Sequence, residues 1–497
     1  MAHALAGKPV QEQDIIDVQT IVDAYFDNVP DMTNPTQLVS FGTSGHRGTS
    51  VDGTFTDLHV AAITQAICDG RKQFGATGPI FVGQDTHALS QPALVTVLEV
   101  LAGNGVTAMV DCDMAFVPTP SVSRAIIRYN EEHDDKADGI IITPSHNPPD
   151  NGGIKYNTII GGPADTVVTK WIEMRANEYL TAYCESEDFK RISIDNIEPS
   201  AQVPYDYKGL YVEELGDVIN MEAIKAAGPK VLVDTLGGSG ASYWNAIKER
   251  YGLDLTIIHD DYDPTFSFMT YDHDGKVRMD CSSTYVMASV INRIGDFDLA
   301  VGNDPDYDRY GIVVSSGLIS ANTFLTLAAR YLFTTRGWKH KGVGKTVVCT
   351  TMIDKWAADA ETPVFEVPVG FKYFSQLLFD GAIGIGGEES AGASFLKKDG
   401  TVWTTDKDGM IMALLSMEIM AVMGKSALKM ADEFVEEFGN PSFGRIDAPC
   451  KKEQKQILKQ MSAELITATT VDGDPIMNIR TTCLLYTSPS PRDLSTS

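Results

Sequence analysis

The sequence predicts an α/β protein with several consecutive domains, each built from a mostly parallel sheet and covering helices. Short apolar runs typical of buried strands alternate with segments of helical periodicity, the order expected for such sheets. The alternation restarts twice, after a polar, linker-like stretch at 185–208 and again near residue 321. With 497 residues, 43% of them hydrophobic, the chain can support about three or four domains.

The predicted elements fall into three sets. The first has helices at 14–22, 58–74, 93–102, 119–129 and 164–180 and strands at 79–83, 106–110 and 139–142. The second has strands at 231–234, 255–258, 297–301 and 311–314 and a helix at 284–294. The third has strands at 346–350, 364–367 and 383–385 and helices at 324–333, 353–360 and 409–423. A glycine-rich turn at 237–240 lacks the G-x-G-x-x-G spacing of a dinucleotide site.

The composition argues against several classes of function. A formal charge of −27 and a pI near 4.6 disfavour binding to nucleic acid or to an anionic membrane through bulk charge. The seven cysteines never form Cys-x-x-Cys, so we interpret them as reduced thiols outside any metal or redox framework. The sequence has neither a secretory leader nor an apolar run of membrane-spanning length, which predicts a cytoplasmic protein.

Ser145 lies on a loop that prolines make rigid. Residues 143–149 read Thr-Pro-Ser-His-Asn-Pro-Pro and follow a short apolar strand. Ligands and chemistry collect at the carboxyl ends of strands in open α/β sheets, so this hydroxyl could be a nucleophile or a phosphoryl carrier. The alternative is a polar turn that caps a helix.

Three aspartates alternate along a second loop, after a predicted strand. Asp304, Asp306 and Asp308 are too close together to stay ionised at low cost, and oxygen-only ligands suit magnesium. One alternative is a solvated acidic loop. The other is an EF-hand, which the sequence disfavours because Arg309 and Ser315 stand where that loop needs glycine and glutamate.

Two further loops carry polar groups that could contact a ligand. Residues 41–48 combine three glycines with Arg47, which can grip a phosphate, although most such loops are only turns. Residues 386–392 place Glu388 and Ser390 at a strand end, where they could hydrogen-bond sugar hydroxyls. The alternative for this second loop is a helix-entry turn with acidic residues near the helix dipole.

These loops occur in an order that closely resembles the bacterial phosphoglucomutases of the α-D-phosphohexomutase superfamily. The matching segments are 41–48, 143–149, 153–157, 304–309 and 387–392, and the resemblance covers about residues 14–480. It implies three consecutive mixed-sheet α/β domains around a central cleft. The implied divisions are domain I at 1–200 with a phosphoserine loop, domain II at 201–320 with a metal loop, domain III at 321–445 with a sugar-binding loop, and the start of domain IV at 446–480.

The resemblance also implies roles for individual residues. Ser145 would be carried as a phosphoserine, and a phosphate oxygen on it would join Asp304, Asp306 and Asp308 in binding one Mg²⁺ per chain. Hexose phosphate contacts would come from Thr43, Ser44, Arg309, Lys372, Glu388 and Ser390. Four residues match basic family positions near the reaction: Arg47, His146, Lys155 and Lys407. The favoured proton carriers are Lys407 and Lys155, with Arg47 as electrostatic support, and the sequence does not choose between the two lysines.

The implied reaction interconverts glucose 1-phosphate and glucose 6-phosphate through glucose 1,6-bisphosphate, in a monomer or homodimer. The alternatives are a phosphomannomutase or another phosphohexomutase, a hydrolase that loses the phosphoryl group to water, and an inactive sugar-phosphate-binding fragment. Relative rates on glucose 1-phosphate and mannose 1-phosphate distinguish a phosphoglucomutase from a phosphomannomutase. Release of free phosphate without mutase product would indicate the hydrolase.

The carboxyl-terminal part departs from the family. An Arg-Pro-Ser-Gly-Thr-type loop, which in the family grips the non-reacting phosphate, does not occur after residue 445, and residues 481–497 resemble translated adapter DNA. The sequence therefore predicts that domain IV is mostly missing and the tail non-native. We expect the chain as written to keep its metal site but to turn over poorly, because remote phosphate binding positions the sugar. A coupled assay that matched a full-length homologue would contradict this.

Overall fold

Three α/β units follow one another along the chain in the computed structural model. The structure describes residues 2–42, 44–183, 189–338, 340–439, 454, 457–458, 461–471, 473–476 and 479. Thr43, sixteen of the residues in 446–480 and all of residues 481–497 lie outside this set, so what the sequence predicts for them stays a prediction.

The first unit is a six-stranded mixed sheet covered by helices. Its elements are α1 (Val18–Asp27), β1 (His46–Thr49), α2 (Asp57–Gly70), β2 (Ile80–Gln84), α3 (Ser90–Gly103), β3 (Ala108–Asp111), α4 (Thr119–Glu132), β4 (Asp138–Ile142), β5 (Asn151–Asn157), α5 (Thr166–Tyr183) and β6 (Gln202–Tyr205). The strand order is β1-β5-β4-β2-β3-β6. Strands β4, β2, β3 and β6 are parallel, and β5 and β1 add antiparallel at one edge.

The second unit contains α6 (Tyr207–Val218), α7 (Met221–Ala227), β7 (Val231–Asp234), α8 (Ala241–Tyr251), β8 (Leu255–Ile258), α9 (Ala288–Ile291), β9 (Leu299–Gly302), β10 (Gly311–Val314) and β11 (Gly317–Leu318). Its strand order is β11-β10-β9-β7-β8. Strand β9 pairs in parallel with β7 and antiparallel with β10, so the loop between β9 and β10 turns back at the carboxyl end of a parallel strand.

The third unit contains α10 (Ala321–Arg336), β12 (Gly342–Thr346), α11 (Met352–Asp359), β13 (Val364–Val367), α12 (Lys372–Phe379), β14 (Ile383–Gly387), β15 (Ala393–Phe395), α13 (Gly409–Met423) and α14 (Ala427–Phe438). Its strand order is β13-β12-β14-β15, with only β15 antiparallel. The predicted α/β class and its mixed sheets are therefore confirmed. A short hairpin, β16 (Thr470–Val471) with β17 (Asp474–Pro475), lies beyond the third unit.

Buried strands explain the apolar runs in the sequence. In β4, Ile140 and Ile142 belong to the core on one face of the first sheet, and Ile141 belongs to the core on the other. A strand covered on both faces has no polar alternation, which is why this segment reads as a continuous apolar run. The second and third units share one core, in which Val301 of β9 and Phe324 of α10 both lie.

Local sequence signals set the ends of the helices. Helix α10 begins after Ser320, whose hydroxyl accepts a hydrogen bond from the Thr323 N–H, and it ends at Gly337, where φ is +70°. Within the described residues, no single helix has the length and apolar character to cross a membrane. Only the bent pair 409–423 and 428–438 meets those two criteria together, and α13 of that pair is largely buried in the core.

Three predicted elements differ from the structure. The strand predicted at 346–350 is wrong in position, because Val347 and Val348 are about half exposed and the strand is the glycine-containing β12. The helix predicted at 284–294 is reduced to the single turn α9. The linker-like stretch 185–208 includes β6, which pairs with β3, so the first sheet reaches beyond residue 200. Strand β6 is a short edge strand with partly exposed side chains, and such strands carry a weak periodic signal.

Candidate active site

The three aspartates predicted as metal ligands converge in the loop between β9 and β10. Asp304, Asp306 and Asp308 are fully buried, and one carboxylate oxygen from each lies within 4.8 Å of the other two. Among the described residues, Asp306 Oδ1 and Asp308 Oδ1 have no hydrogen-bond partner. Buried carboxylate oxygens without partners are costly, so these atoms fit an oxygen-liganded divalent cation.

Two lysines from other units partly neutralise this acidic loop. Lys155 Nζ, from β5, lies 2.6 Å from Asp306 Oδ2 and 3.2 Å from Asp308 Oδ2. Lys407 Nζ, just before α13, lies 2.8 Å from Asp308 Oδ2. Residues of all three units therefore meet at the aspartates.

The pKa values in the loop follow from burial and from these neighbours. Burial, together with the repulsion of Asp306 and Asp308, raises the pKa of Asp304 well above its usual range. Burial alone would raise the pKa of Asp308, but Lys407 and Lys155 lower it strongly. Burial opposes the charge of Lys155, yet Asp306 and Asp308 raise its pKa above the ordinary lysine value.

Ser145 points at the acidic loop from the first unit. Its Oγ donates a hydrogen bond of 2.9 Å to Asp304 Oδ2. The residue adopts φ of +61°, which a side chain with Cβ rarely takes without support from its surroundings. Its backbone N–H donates to Thr143 Oγ1 at 2.7 Å. The serine and the predicted metal ligands thus share one site, although they lie on different sheets.

A cavity of about 280 Å³ opens beside these groups. The predicted site residues that line it are Ser44, Arg47, His146, Arg309, Lys372, Glu388, Ser390 and Lys407. Four of these side chains are cationic at neutral pH, so the cavity suits an anionic ligand despite the net negative charge of the chain.

Glu388 offers a buried acceptor to this cavity. It lies at the end of β14, and its Oε1 accepts a hydrogen bond of 3.1 Å from the Gly370 N–H. Burial raises the pKa of Glu388 above its usual value, which Lys407 and Arg309 partly oppose. The glycine at position 392 makes room for Lys407, because a Cβ there would collide with the Lys407 Cδ.

Basic groups near Ser145 are partly buried. Arg309 Nη1 lies 3.4 Å from Asp280 Oδ2, and burial lowers the pKa of Arg47. Burial and then the charge of Arg309 lower the pKa of His146 to about 3, so its imidazole is neutral at physiological pH. The guanidiniums and lysines, and not His146, therefore supply the positive potential of the cavity.

The structure brings together the predicted site residues within its described part, and Thr43 lies outside that part. It also contains contributors that the sequence did not indicate. Thr119, the first residue of α4, donates from its hydroxyl to Asp306 Oδ2 at 2.7 Å, and Asp280 lines the cavity. Thr119 is the first residue of the helix predicted at 119–129, where a threonine is ordinary, so it carried no distinctive signal. Asp280 follows no predicted element and gave no such signal.

Family models match each of the three units. Phosphoglucomutase/phosphomannomutase alpha/beta/alpha domain I matches residues 38–182, domain II matches 210–317, and domain III matches 320–438. A phosphoglucomutase from Komagataeibacter xylinus is 47% identical over 481 residues, which cover 96% of this chain and 86% of that protein. Phosphoglucomutase 1 from Saccharomyces cerevisiae is 28% identical, covering 87% of this chain and 79% of that protein.

A solved structure shares the fold. The open form of the Paramecium phosphoglucomutase pp63/parafusin has a TM-score of 0.67 at 20% identity and covers 83% of this chain and 76% of that one. The three matched units and the extended identity to the Komagataeibacter protein agree with each other. The chain belongs to the phosphoglucomutase/phosphomannomutase family of the α-D-phosphohexomutase superfamily.

Proposed function

We propose that this protein is a phosphoglucomutase that interconverts glucose 1-phosphate and glucose 6-phosphate. One observation carries the proposal: Ser145 Oγ lies 2.9 Å from a carboxylate of a buried tri-aspartate loop that belongs to another unit. A hydroxyl beside an oxygen-only cation site is the arrangement that phosphoryl transfer needs. The 47% identity to a phosphoglucomutase favours glucose phosphates among the hexose phosphates.

In the proposed reaction Ser145 carries the phosphoryl group. The bond from phosphorus to Ser145 Oγ breaks, a bond forms to the C6 oxygen of glucose 1-phosphate, and the hydroxyl proton passes to a base. The resulting glucose 1,6-bisphosphate then rotates in the cavity, so that its C1 phosphate faces Ser145. Its C1 phosphate then returns to Ser145 Oγ, the proton returns to the C1 oxygen, and glucose 6-phosphate leaves.

Asp304, Asp306 and Asp308 are proposed to hold one Mg²⁺. The buried, unpartnered Oδ1 atoms of Asp306 and Asp308 fit this ion, which when bound would offset charge that builds on the transferring phosphoryl group. Arg47 and Lys155 would add positive potential on the side of the first unit. Because burial and hydrogen bonds hold these side chains in place, little reorganisation accompanies the transfer.

Lys407 is the better proton carrier of the two lysines. It lines the cavity where the sugar hydroxyl would lie, whereas Lys155 is buried against two carboxylates and does not belong to the cavity lining. Glu388 and Ser390 would accept from and donate to sugar hydroxyls, and Lys372 and Arg309 would contact phosphate. These contacts would hold the sugar in both orientations.

Intact-mass analysis and an Mg²⁺-dependent coupled assay test the proposal together. We expect one phosphate on the purified protein, none on Ser145→Ala, and at least about a 1000-fold loss of activity in that variant. Ser416→Ala, at a buried serine on α13, is the matched control and should retain both the bound phosphate and the activity. Phosphate-free protein, or steady release of free phosphate without glucose 6-phosphate, would contradict the mutase. Faster turnover of mannose 1-phosphate than of glucose 1-phosphate would contradict the proposed specificity for glucose.

A further inference from the structure

A buried aspartate–histidine pair lies beneath the serine loop. His87 Nδ1 lies 2.9 Å from Asp85 Oδ2, and both side chains are shielded from solvent. Asp85 Oδ1 also accepts from Ser90 Oγ at 2.6 Å and from the His87 N–H at 3.0 Å. The pair follows β2, the neighbour of β4 in the sheet.

Both members of the pair contact the serine loop, on either side of Ser145. Asp85 Oδ2 accepts from Thr143 Oγ1 at 2.5 Å, and Thr143 Oγ1 in turn accepts from the Ser145 N–H. His87 Nε2 lies 3.0 Å from the carbonyl oxygen of Asn147. The pair therefore holds the loop two residues before and two residues after the serine.

The hydrogen-bond partners define the protonation of His87. The Asn147 carbonyl can only accept, so His87 Nε2 carries a hydrogen. Asp85 accepts from three other donors and its pKa is lowered, because His87 and its donors outweigh the effect of burial. His87 Nδ1 therefore also donates, and the pair is a buried imidazolium–carboxylate, with the Phe266 ring 5.1 Å from the imidazole and Asp306 as a further nearby negative charge.

We propose that Asp85 and His87 are positioning residues that hold Ser145 in its left-handed conformation, with Oγ directed at the acidic loop. This positioning role rests on the proposed function of Ser145 as a phosphoserine. A non-glycine residue at φ of +61° persists only where its surroundings over-determine it. Three hydrogen bonds of this network fix the loop, and the contact between His87 and Asp85 anchors them. A buried ion pair is by itself a weak source of stability, whereas this one ends on the loop that carries the reacting hydroxyl.

Substitutions at His87 separate positioning from general stability. His87→Phe keeps a ring and removes both hydrogen bonds, and His87→Gln can still donate to Asn147 O. We expect kcat to fall at least about tenfold in His87→Phe with KM within about threefold, and to recover partly in His87→Gln. His59→Gln is the matched control, since His59 is a buried histidine of the same unit whose Nε2 lies 2.7 Å from the Gln37 carbonyl oxygen. It should lower the thermal midpoint and leave kcat within about twofold.

A crystal structure of His87→Phe, or of His87→Gln if the first variant does not fold, supplies a readout that is independent of activity. We expect Ser145 to leave the left-handed region and its Oγ to lose the contact with Asp304. Retention of that φ and contact, or a loss of kcat no larger than in His59→Gln, would overturn the proposal. A wild-type protein without phosphate on Ser145 and without mutase activity would instead overturn the proposed function, and the crystal structure would still decide the positioning role.

Discussion

At the scale of residues, the two lysines at the acidic loop differ in where they can act. Lys155 Nζ lies between Asp306 and Asp308 and only 3% of its side chain is exposed. Within the described part of the chain, Lys407 has one carboxylate partner, Asp308, and it lines the cavity. This difference is the reason that we propose Lys407 as the group that exchanges a proton with a bound sugar hydroxyl, and Lys155 as a fixed charge.

Replacing Lys407 with methionine should lower kcat by about 100-fold or more, because a positioned proton carrier contributes about that much. Lys398→Met, at an exposed lysine in the same unit, is the control and should behave as wild type. A Lys407→Met enzyme with a normal kcat would show that another group carries the proton.

At the scale of elements, α13 positions Lys407 through its first turn. Asp408 is the N-cap of this helix and accepts from Ile411 N–H, Trp403 Nε1 and the hydroxyl of Tyr211. Burial raises the pKa of Asp408 to about 6, against the effect of the hydrogen bonds from Trp403 and Tyr211. The cap that precedes the helix is therefore also a titrating group.

Asp408→Asn should change how stability depends on pH. The folded pKa of about 6 lies above the unfolded value of about 3.9, so the folded state holds the extra proton between these values. The stability that this proton supplies is complete below about pH 4 and is lost as the pH rises through 6. Denaturant unfolding at pH 4 and 7 measures this. Between these pH values, the free energy of unfolding of the variant should rise by up to about 3 kcal/mol relative to that of the wild type.

Asp399→Asn gives a control of opposite sign. Hydrogen bonds from Thr401 lower the pKa of this exposed aspartate, so its stabilisation is present above the unfolded pKa and lost as the pH falls. The free energy of unfolding of that variant should fall relative to that of the wild type as the pH rises. The same trend in both variants would mean that Asp408 titrates near its ordinary pKa.

At the scale of the whole molecule, the site exists only where the units meet. Thr119, at the start of α4 in the first unit, donates both its hydroxyl and its N–H to Asp306 in the second. Asn157 of β5 donates to Asp406, one residue before Lys407, at 2.9 Å. Contacts of this kind couple the acidic loop and Lys407 to the first sheet.

Thr119→Val should weaken Mg²⁺ binding by about 10- to 100-fold, since groups that orient metal ligands have effects of that size. Isothermal titration of the metal-depleted protein measures this directly. Thr326→Val is the matched control, because among the described residues the buried Thr326 hydroxyl bonds only within its own helix, to Asn322 O at 2.9 Å. Equal Mg²⁺ affinity in both variants would show that Thr119 does not hold Asp306 in the binding geometry.

Much of this protein was determined by its sequence alone. The apolar runs and helical periodicity gave the α/β class, and the positions of Ser145 and the three aspartates after strands pointed to the carboxyl edges of the sheets. These signals are local, because a strand buried on both faces and a loop rich in proline or carboxylates are recognisable within a few residues.

Only the tertiary structure decided which of these groups face each other. The 2.9 Å contact from Ser145 to Asp304 joins residues 159 positions apart, and the different roles that we propose for Lys155 and Lys407 depend on which carboxylates surround each one. Thr119, Asp85 and His87 were missed for the same reason, since each looks like an ordinary loop or helix-entry residue in the sequence. Their importance arises from burial and hydrogen bonding between separate segments, which the packing of the units creates.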